Sequence, residues 1–371
     1  MHVGLVADRL GSHGGGVETY ERELIRGLAE QPGDDRFTVY CGSVAAADSI
    51  AQLGPRFQAE VVNPGSKIAR FALGLPLAIR RSRVDLVHAC LFPPLYMGGR
   101  SVFTVHDFSP FVRPEFFPLP VRLRLTTFMR RGIAAADRVI CVSESTRADL
   151  LRLFRIDPAR VSVVHLSAEA RYHPPLDVAA TAAVRRKYEL PERYVLYVGK
   201  LQARKNIVGI LRAHHILKTR YGTDHALVLT GRRMWGSEED REIGRLGLDD
   251  DVKNLGHIEH DDLPLLYAGA AVFLFPSHYE GFGLPPLEAM ACGTPVVTSD
   301  VTSLPEIVGD AATCVPPDDH DGLARAVHEL LSDSSLHATR RAKGLVRASE
   351  FSWSRTARET LRVYREVAGD R

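Results

Sequence analysis

Residues 277–295 read SHYEGFGLPPLEAMACGTP, and their flanks decide the fold. Before them runs Ala271-Val-Phe-Leu-Phe-Pro276; Pro295-Val-Val-Thr298 closes the stretch. Two short apolar strands joined by a glycine turn and a short helix form the repeating unit of a parallel α/β sheet. In Gly281-Phe282-Gly283-Leu284 the missing Cβ atoms let backbone N–H groups approach a ligand. The turn feeds a helix N-terminus, which favours anionic or oxygen-rich groups. Glu280 precedes the glycines and Glu288 lies in the helix. Leu284 and Pro285 each precede a proline and are biased away from helical angles, so Pro286 is expected as first helical residue, capped by Pro285. Glu288 then falls near the third position, where glutamate bonds back to the cap N–H. Pro285 has no N–H, so Glu288 is expected to meet a ligand instead. Gly293 and Pro295 end the helix.

A chain of 371 residues has length for two domains, each with its own core. A net charge of +2 gives no case for nucleic acid as a partner. Cys41, Cys90, Cys141, Cys292 and Cys314 are scattered and form no C-x-x-C, as in a reducing compartment. The chain opens directly on a strand, without the basic and apolar regions of a signal peptide, and no apolar run reaches bilayer-spanning length. The expectation is a cytoplasmic protein, at most resting on the inner face of the membrane.

In chain order, strands are expected at 2–7, 37–40, 59–62, 84–88, 101–105, 138–142 and 161–164, then at 194–198, 226–231, 252–256, 271–276, 295–298 and 313–315. After the first strand, Gly14-Gly15-Gly16 opens an amphipathic stretch from Thr19 to Ala29; Gly15 and Gly16 read either as a flexible loop or as a phosphate contact. The spacing is not G-x-G-x-x-G. His106-Asp107 ends a strand, where ligands of open α/β sheets gather; a structural imidazole oriented by Asp107 is the plainer alternative. Residues 108–117, FSPFVRPEFF, read as a loop. Between Lys67 and Arg155 basic residues outnumber acidic ones, either as a solvated face or as a surface for an anionic acceptor or peripheral membrane contact. Ser143 caps a helix. The stretch 165–191 reads as a linker around one helical patch, 178–188. Arg204 and Lys205, between a strand end and a helix start, suit a pyrophosphate; Gly231 ends the next strand on the ligand side. No Asp-x-Asp or His cluster suggests a metal.

Glu280-GFGLPPL-Glu288 resembles the E-x7-E signature of the family-four retaining glycosyltransferases. Residues 254–258, 263–271, 299–306 and 351–353 resemble the same family. The resemblance implies a GT-B fold: two doubly wound Rossmann-like domains facing across a cleft. These are an acceptor-binding domain at 1–170, with the helix 352–371 crossing back onto it, and a nucleotide-sugar domain at 190–351. It implies donor contacts at Gly15 and Gly16, a donor-sugar role for His106 with Glu280, a diphosphate site at Arg204 and Lys205, and a nucleobase beside His257 and Ile258. Many members carry N-G-V-D where this chain has Leu166-Ser-Ala-Glu169, so that linker contact is not expected. The implied activity is metal-independent, retaining hexosyl transfer without a cofactor, from a nucleotide-diphosphate sugar to a saccharide, lipid-linked or small-molecule acceptor. Residues 106–111 and 203–206 are similar to bacterial mannosyltransferases of polysaccharide assembly, which points to GDP-mannose. A sugar-nucleotide 2-epimerase, a non-catalytic binding subunit and a two-carboxylate glycosidase are the competing readings; the last has no use for the basic pair.

Overall fold

The computed structural model describes residues 1–12, 15–62, 66–175, 177–234 and 238–369. They form two compact units. One comprises the described residues of Met1–Pro114, Leu119–Leu166 and the segment from Ser352 onward; the other comprises Glu115–Pro118 and Ser167–Phe351.

The first unit is built on β1 (His2–Ala7), β2 (Arg36–Cys41), β3 (Phe57–Val61), β4 (Leu86–Ala89), β5 (Arg100–Val105), β6 (Arg138–Cys141) and β7 (Val161–Val163), in sheet order β3-β2-β1-β4-β5-β6-β7. The second is built on β8 (Tyr194–Val198), β9 (Ala226–Thr230), β10 (Val252–Asn254), β11 (Val272–Phe275), β12 (Val296–Ser299) and β13 (Thr313–Val315), in order β10-β9-β8-β11-β12-β13. Every pairing is parallel. The apolar runs form the central strands because helices cover both faces of such a sheet; β11 and β12 are buried along their whole length. Each sheet reverses its strand order once, between β1 and β4 and between β8 and β11. Ligands gather beyond the strand ends at such a reversal.

The strands fall within about two residues of their expected positions, and three local expectations change. The helix after the glycine turn is Leu284–Ala291, capped by Gly283 at φ 114, so it starts two residues before Pro286. Pro285 is the second helical residue and Glu288 the fifth. The residue-before-proline bias is a weak preference, and burial of Leu287, Ala289 and Met290 overrides it. Residues 108–117 are not all loop: Ser109–Val112 is one helical turn and Pro114–Phe116 a 3-10 turn. The stretch read as a linker is packed into the second unit from Ser167, including the helix Val178–Lys187.

The helix Trp353–Ala368 belongs to the first unit. Gln31 donates to Ser354 Oγ at 3.1 Å, and Thr356 Oγ1 donates to the carbonyl of His165 at 2.7 Å. Deeper, the wholly buried His88 of β4 shares hydrogen bonds with Tyr364 (2.6 Å) and Thr104 (2.7 Å).

Candidate active site

The β8–β11 reversal places the loop after β8 beside the loop after β11. The first holds a 3-10 turn, Ala203–Lys205, followed by Asn206 in the left-handed region at φ 60. Asn206 caps the helix Ile207–Tyr221 by accepting from Gly209 N at 3.1 Å. Its amide also donates to the carbonyls of Pro276 (3.0 Å) and Pro317 (2.7 Å). One polar side chain thus ties the basic turn to the end of β11. His278 N donates to the Arg204 carbonyl at 3.0 Å and extends the tie.

The result is a charge cluster. The buried Lys205 ammonium donates to Glu280 Oε1 and lies 5.0 Å from the centre of the Phe275 ring. Arg204 Nη1 donates to the Tyr279 carbonyl and lies 3.4 Å from Glu280 Oε2. Glu280 is 8% exposed. Burial would raise its pKa, but Lys205 and Arg204 outweigh that and hold it below the usual range. Its backbone is pinned too. Glu280 N donates to Thr302 Oγ1 at 3.1 Å, while Ser303 Oγ donates to the carbonyls of Glu280 (3.0 Å) and Phe282 (2.7 Å). The buried Phe282 ring packs edge-on against Phe351.

Glu288 occupies a different environment. It is buried, accepts from Tyr267 OH at 2.9 Å and has no basic partner among the described residues. Burial pushes its pKa up to about 7, and the charge of Glu169 adds to the rise despite the Tyr267 bond. Glu169 is buried as well, bound by Arg171 (3.1 Å) and His260 (3.1 Å). Gly283 and Leu284 open the helix that carries Glu288.

A third feature flanks β9 and β10. Gly231 at φ 136 donates its N–H to the Gly256 carbonyl at 2.7 Å. A Cβ there would stand 2.0 Å from the Gly199 carbonyl oxygen, so glycine is required. Gly231, Arg232, Arg233, Asn254, Leu255, Gly256 and His257 line an open pocket of about 470 Å³. His257 is exposed, whereas Ile258 is buried beside it.

In the first unit, Gly15 (φ 82) caps the helix Gly16–Glu30, so Gly16 is helical rather than part of a loop. Gly14 lies outside the described residues. Glu18 and Glu21 of that helix accept from the backbone of Gly11 (3.0 Å) and Arg9 (2.8 Å), fixing the segment after β1. His106, beyond β5, donates from Nε2 to the Cys90 carbonyl at 2.8 Å, and the Tyr20 ring packs edge-on at 4.8 Å. Burial lowers its pKa, only partly offset by Cys90 and Asp107. Asp107 accepts from the N–H (2.8 Å) and hydroxyl (2.5 Å) of Ser109, a turn-forming role separate from the imidazole.

Arg204, Lys205 and Glu280 therefore meet; Gly231 and His257 share a pocket; Gly15, Gly16 and His106 stand in the other unit. Tyr267, Thr302 and Ser303 hold these groups and carry no local signal of doing so, since each acts on residues distant in sequence; Asn206 signals its local cap but not its bonds to Pro276 and Pro317. Among the described residues no three His, Cys, Asp or Glu side chains gather as a metal-holding group, and no helix is long and apolar enough to cross a membrane.

Comparison with known proteins gives consistent matches. The family model described as Glycosyl transferases group 1 matches residues 181–345, and that described as Glycosyltransferase Family 4 matches residues 14–167. O-antigen chain mannosyltransferase B of Escherichia coli is 32% identical over 367 residues, covering 94% of this chain and 96% of its own. Sucrose-phosphate synthase of Thermosynechococcus elongatus superposes with a TM-score of 0.77 at 22% identity over 100% of both chains. HepE of Anabaena, solved in complex with UDP and glucose, superposes with a TM-score of 0.77 at 19% identity, covering 99% of this chain and 100% of its own. At such identities the structural likeness speaks for the fold alone.

Proposed function

The chain belongs to the glycosyltransferases of group 1 and family 4, with the two-domain GT-B fold, and from that premise we propose that it moves mannose from GDP-mannose to a saccharide, lipid-linked or small-molecule acceptor with retention and without a metal. The observation that carries the reading is the Arg204–Lys205–Glu280 cluster at a strand-order reversal. Two cations against one carboxylate leave one net positive charge beside a helix start, in a site dry enough for that charge to act strongly on a diphosphate. As the sugar–phosphate bond breaks, negative charge grows on the leaving diphosphate, and Arg204 and Lys205 neutralise it. Glu280 keeps the pair apart and aligned and turns its carboxylate toward the sugar carbon, where positive charge develops. The departing phosphate oxygen accepts the acceptor hydroxyl proton on the face it leaves, so the configuration is retained. Glu288 accepts from the ribose hydroxyls, the pocket at Gly231 and His257 takes the base with Ile258 next to it in sequence, and His106, Gly15 and Gly16 are donor-sugar residues.

The GDP-mannose choice rests on the Escherichia coli relative, a mannosyltransferase by name. A thermal-shift panel of GDP-, UDP- and dTDP-sugars tests it, because a ligand that binds only the folded state raises Tm. Stabilisation by GDP-mannose is expected; stabilisation by UDP- or dTDP-sugars alone overturns it. The anomeric configuration of the product, read by NMR, tests retention, and an unchanged rate in EDTA tests metal independence.

A further inference from the structure

Two contacts of His106 lead back into one buried polar network of the first unit. His106 donates from Nε2 to the Cys90 carbonyl at 2.8 Å, and the Tyr20 ring meets it edge-on with centroids 4.8 Å apart. Tyr20 OH lies 2.9 Å from Thr104 Oγ1. Thr104 Oγ1 lies 2.7 Å from His88 Nε2, and His88 Nδ1 lies 2.6 Å from Tyr364 OH. The four side chains are each at most 1% exposed, so bulk water cannot compete for these bonds.

Strand alternation ties the network to His106 again. Thr104 comes two residues before His106 along β5, and His88 two residues before Cys90 along β4, so each pair falls on one face. Thr104 and His88 thereby anchor the strand that carries His106 and the strand that presents the Cys90 carbonyl. The helix Trp353–Ala368 closes the circuit. It supplies Tyr364, and near its start it lies tightly against Gly16–Glu30, the helix that carries Tyr20. A Cβ on Gly27 would stand 2.8 Å from the Trp353 carbonyl oxygen and 3.0 Å from Ala357 Cβ. The Trp353 ring packs beside Tyr20 with centroids 6.4 Å apart. Burial keeps His88 neutral, so one ring nitrogen donates while the other accepts, and its tautomer sets both bonds together. Removing a hydroxyl anywhere along this chain leaves a buried neighbour unsatisfied and frees the rest to re-aim.

We propose that Tyr20, Thr104, His88 and Tyr364 are positioning residues that aim the His106 imidazole, and that the helix Trp353–Ala368 is through them a working part of the first unit's site. The effect on transfer rests on the reading of His106 as a donor-sugar residue; the aim of the imidazole does not.

Near-isosteric substitutions at two points of the chain test it, Thr104→Val and Tyr364→Phe, each made in the full chain with isotopically labelled histidine. The His106 imidazole NMR signals, assigned by their loss in His106→Ala, are expected to move in both variants. The kcat should fall roughly tenfold, as expected for a group still present but misplaced, with donor KM within about twofold of the wild type. In the His106→Ala background neither substitution should lower kcat further. A lower Tm with unmoved His106 signals and unchanged kcat would mark a merely structural network and overturn the proposal. The same tenfold loss in the His106→Ala background would overturn it too. Full activity of His106→Ala would instead overturn the donor-sugar reading; moved imidazole signals would then still support the positioning, and unmoved ones would refute it. Two variants on different elements keep the result readable should one fail to fold.

Discussion

Lys205 and Glu280 stand 75 positions apart and meet as a buried ion pair. Removing one partner of such a pair costs about 3–5 kcal/mol, because the other charge is left without water or counter-ion. Glu280→Gln keeps an acceptor for Lys205, so we expect a loss of stability toward the lower end of that range, read as a fall in Tm, together with a lower kcat. A nucleoside diphosphate then supplies the missing negative charge. It should raise the Tm of Glu280→Gln by more than that of the wild type, and an equal rise in both would show that the diphosphate does not contact the pair. Glu288 calls for a different test. With a pKa of about 7 it is half protonated at neutral pH. If its carboxylate accepts from ribose hydroxyls, nucleotide affinity should fall as pH drops below 7. The Tyr267 bond lowers that pKa, so Tyr267→Phe should move the midpoint upward, and Glu288→Gln should remove the dependence and raise KM. Calorimetry of nucleotide binding from pH 5.5 to 8.5 reads all three, and an unshifted midpoint in Tyr267→Phe excludes the link.

At the scale of elements, the basic pair is positioned by a 3-10 turn that Asn206 secures to two distant carbonyls. That anchoring does not run through the Arg204 or Lys205 side chains, so Arg204→Ala and Lys205→Ala should each leave the turn in place. Each is expected to reduce kcat/KM by about a hundredfold, the scale of losing one preorganised group that stabilises transition-state charge. The two should differ in stability. Lys205→Ala leaves a buried carboxylate with only the partly exposed Arg204, and should lower Tm more than Arg204→Ala. Steady-state kinetics beside thermal melts checks both, and full activity in the double variant rules out the diphosphate site. The Gly283 cap belongs to this scale as well. Its start at Leu284 lifts Glu288 out of capping range altogether, a stronger reason for its freedom than the missing N–H of Pro285.

Across the whole molecule, each unit buries a histidine that stays neutral: His88 with a pKa lowered to about 3 and His214 to about 4, both by burial. The unfolded chain takes up those protons near pH 6.5 while the folded one does not. Their contribution is therefore intact above pH 6.5 and is lost as pH falls from there toward 4 and 3. Glu288 acts in the opposite sense, adding stability as pH falls from about 7 to 4.5. His214 finds no partner for either ring nitrogen among the described residues, and its shift corresponds to about 3 kcal/mol. His214→Leu should narrow the stability gap between pH 8 and pH 5, measured by urea unfolding, and an unchanged gap would exclude the assignment. By itself the sequence determined the strand succession, the glycine turn between β11 and β12, and the placing of Arg204, Lys205 and Glu280 at strand and helix ends. Apolar runs and Gly/Pro punctuation act over a few residues and are legible without partners. Tertiary structure alone decided that Glu280 pairs with Lys205, that Tyr267 and Glu169 surround Glu288, and that Tyr364 reaches His88. A carboxylate's protonation and direction depend on groups 20 to 300 positions away, and only the closed sheets bring those within hydrogen-bond distance.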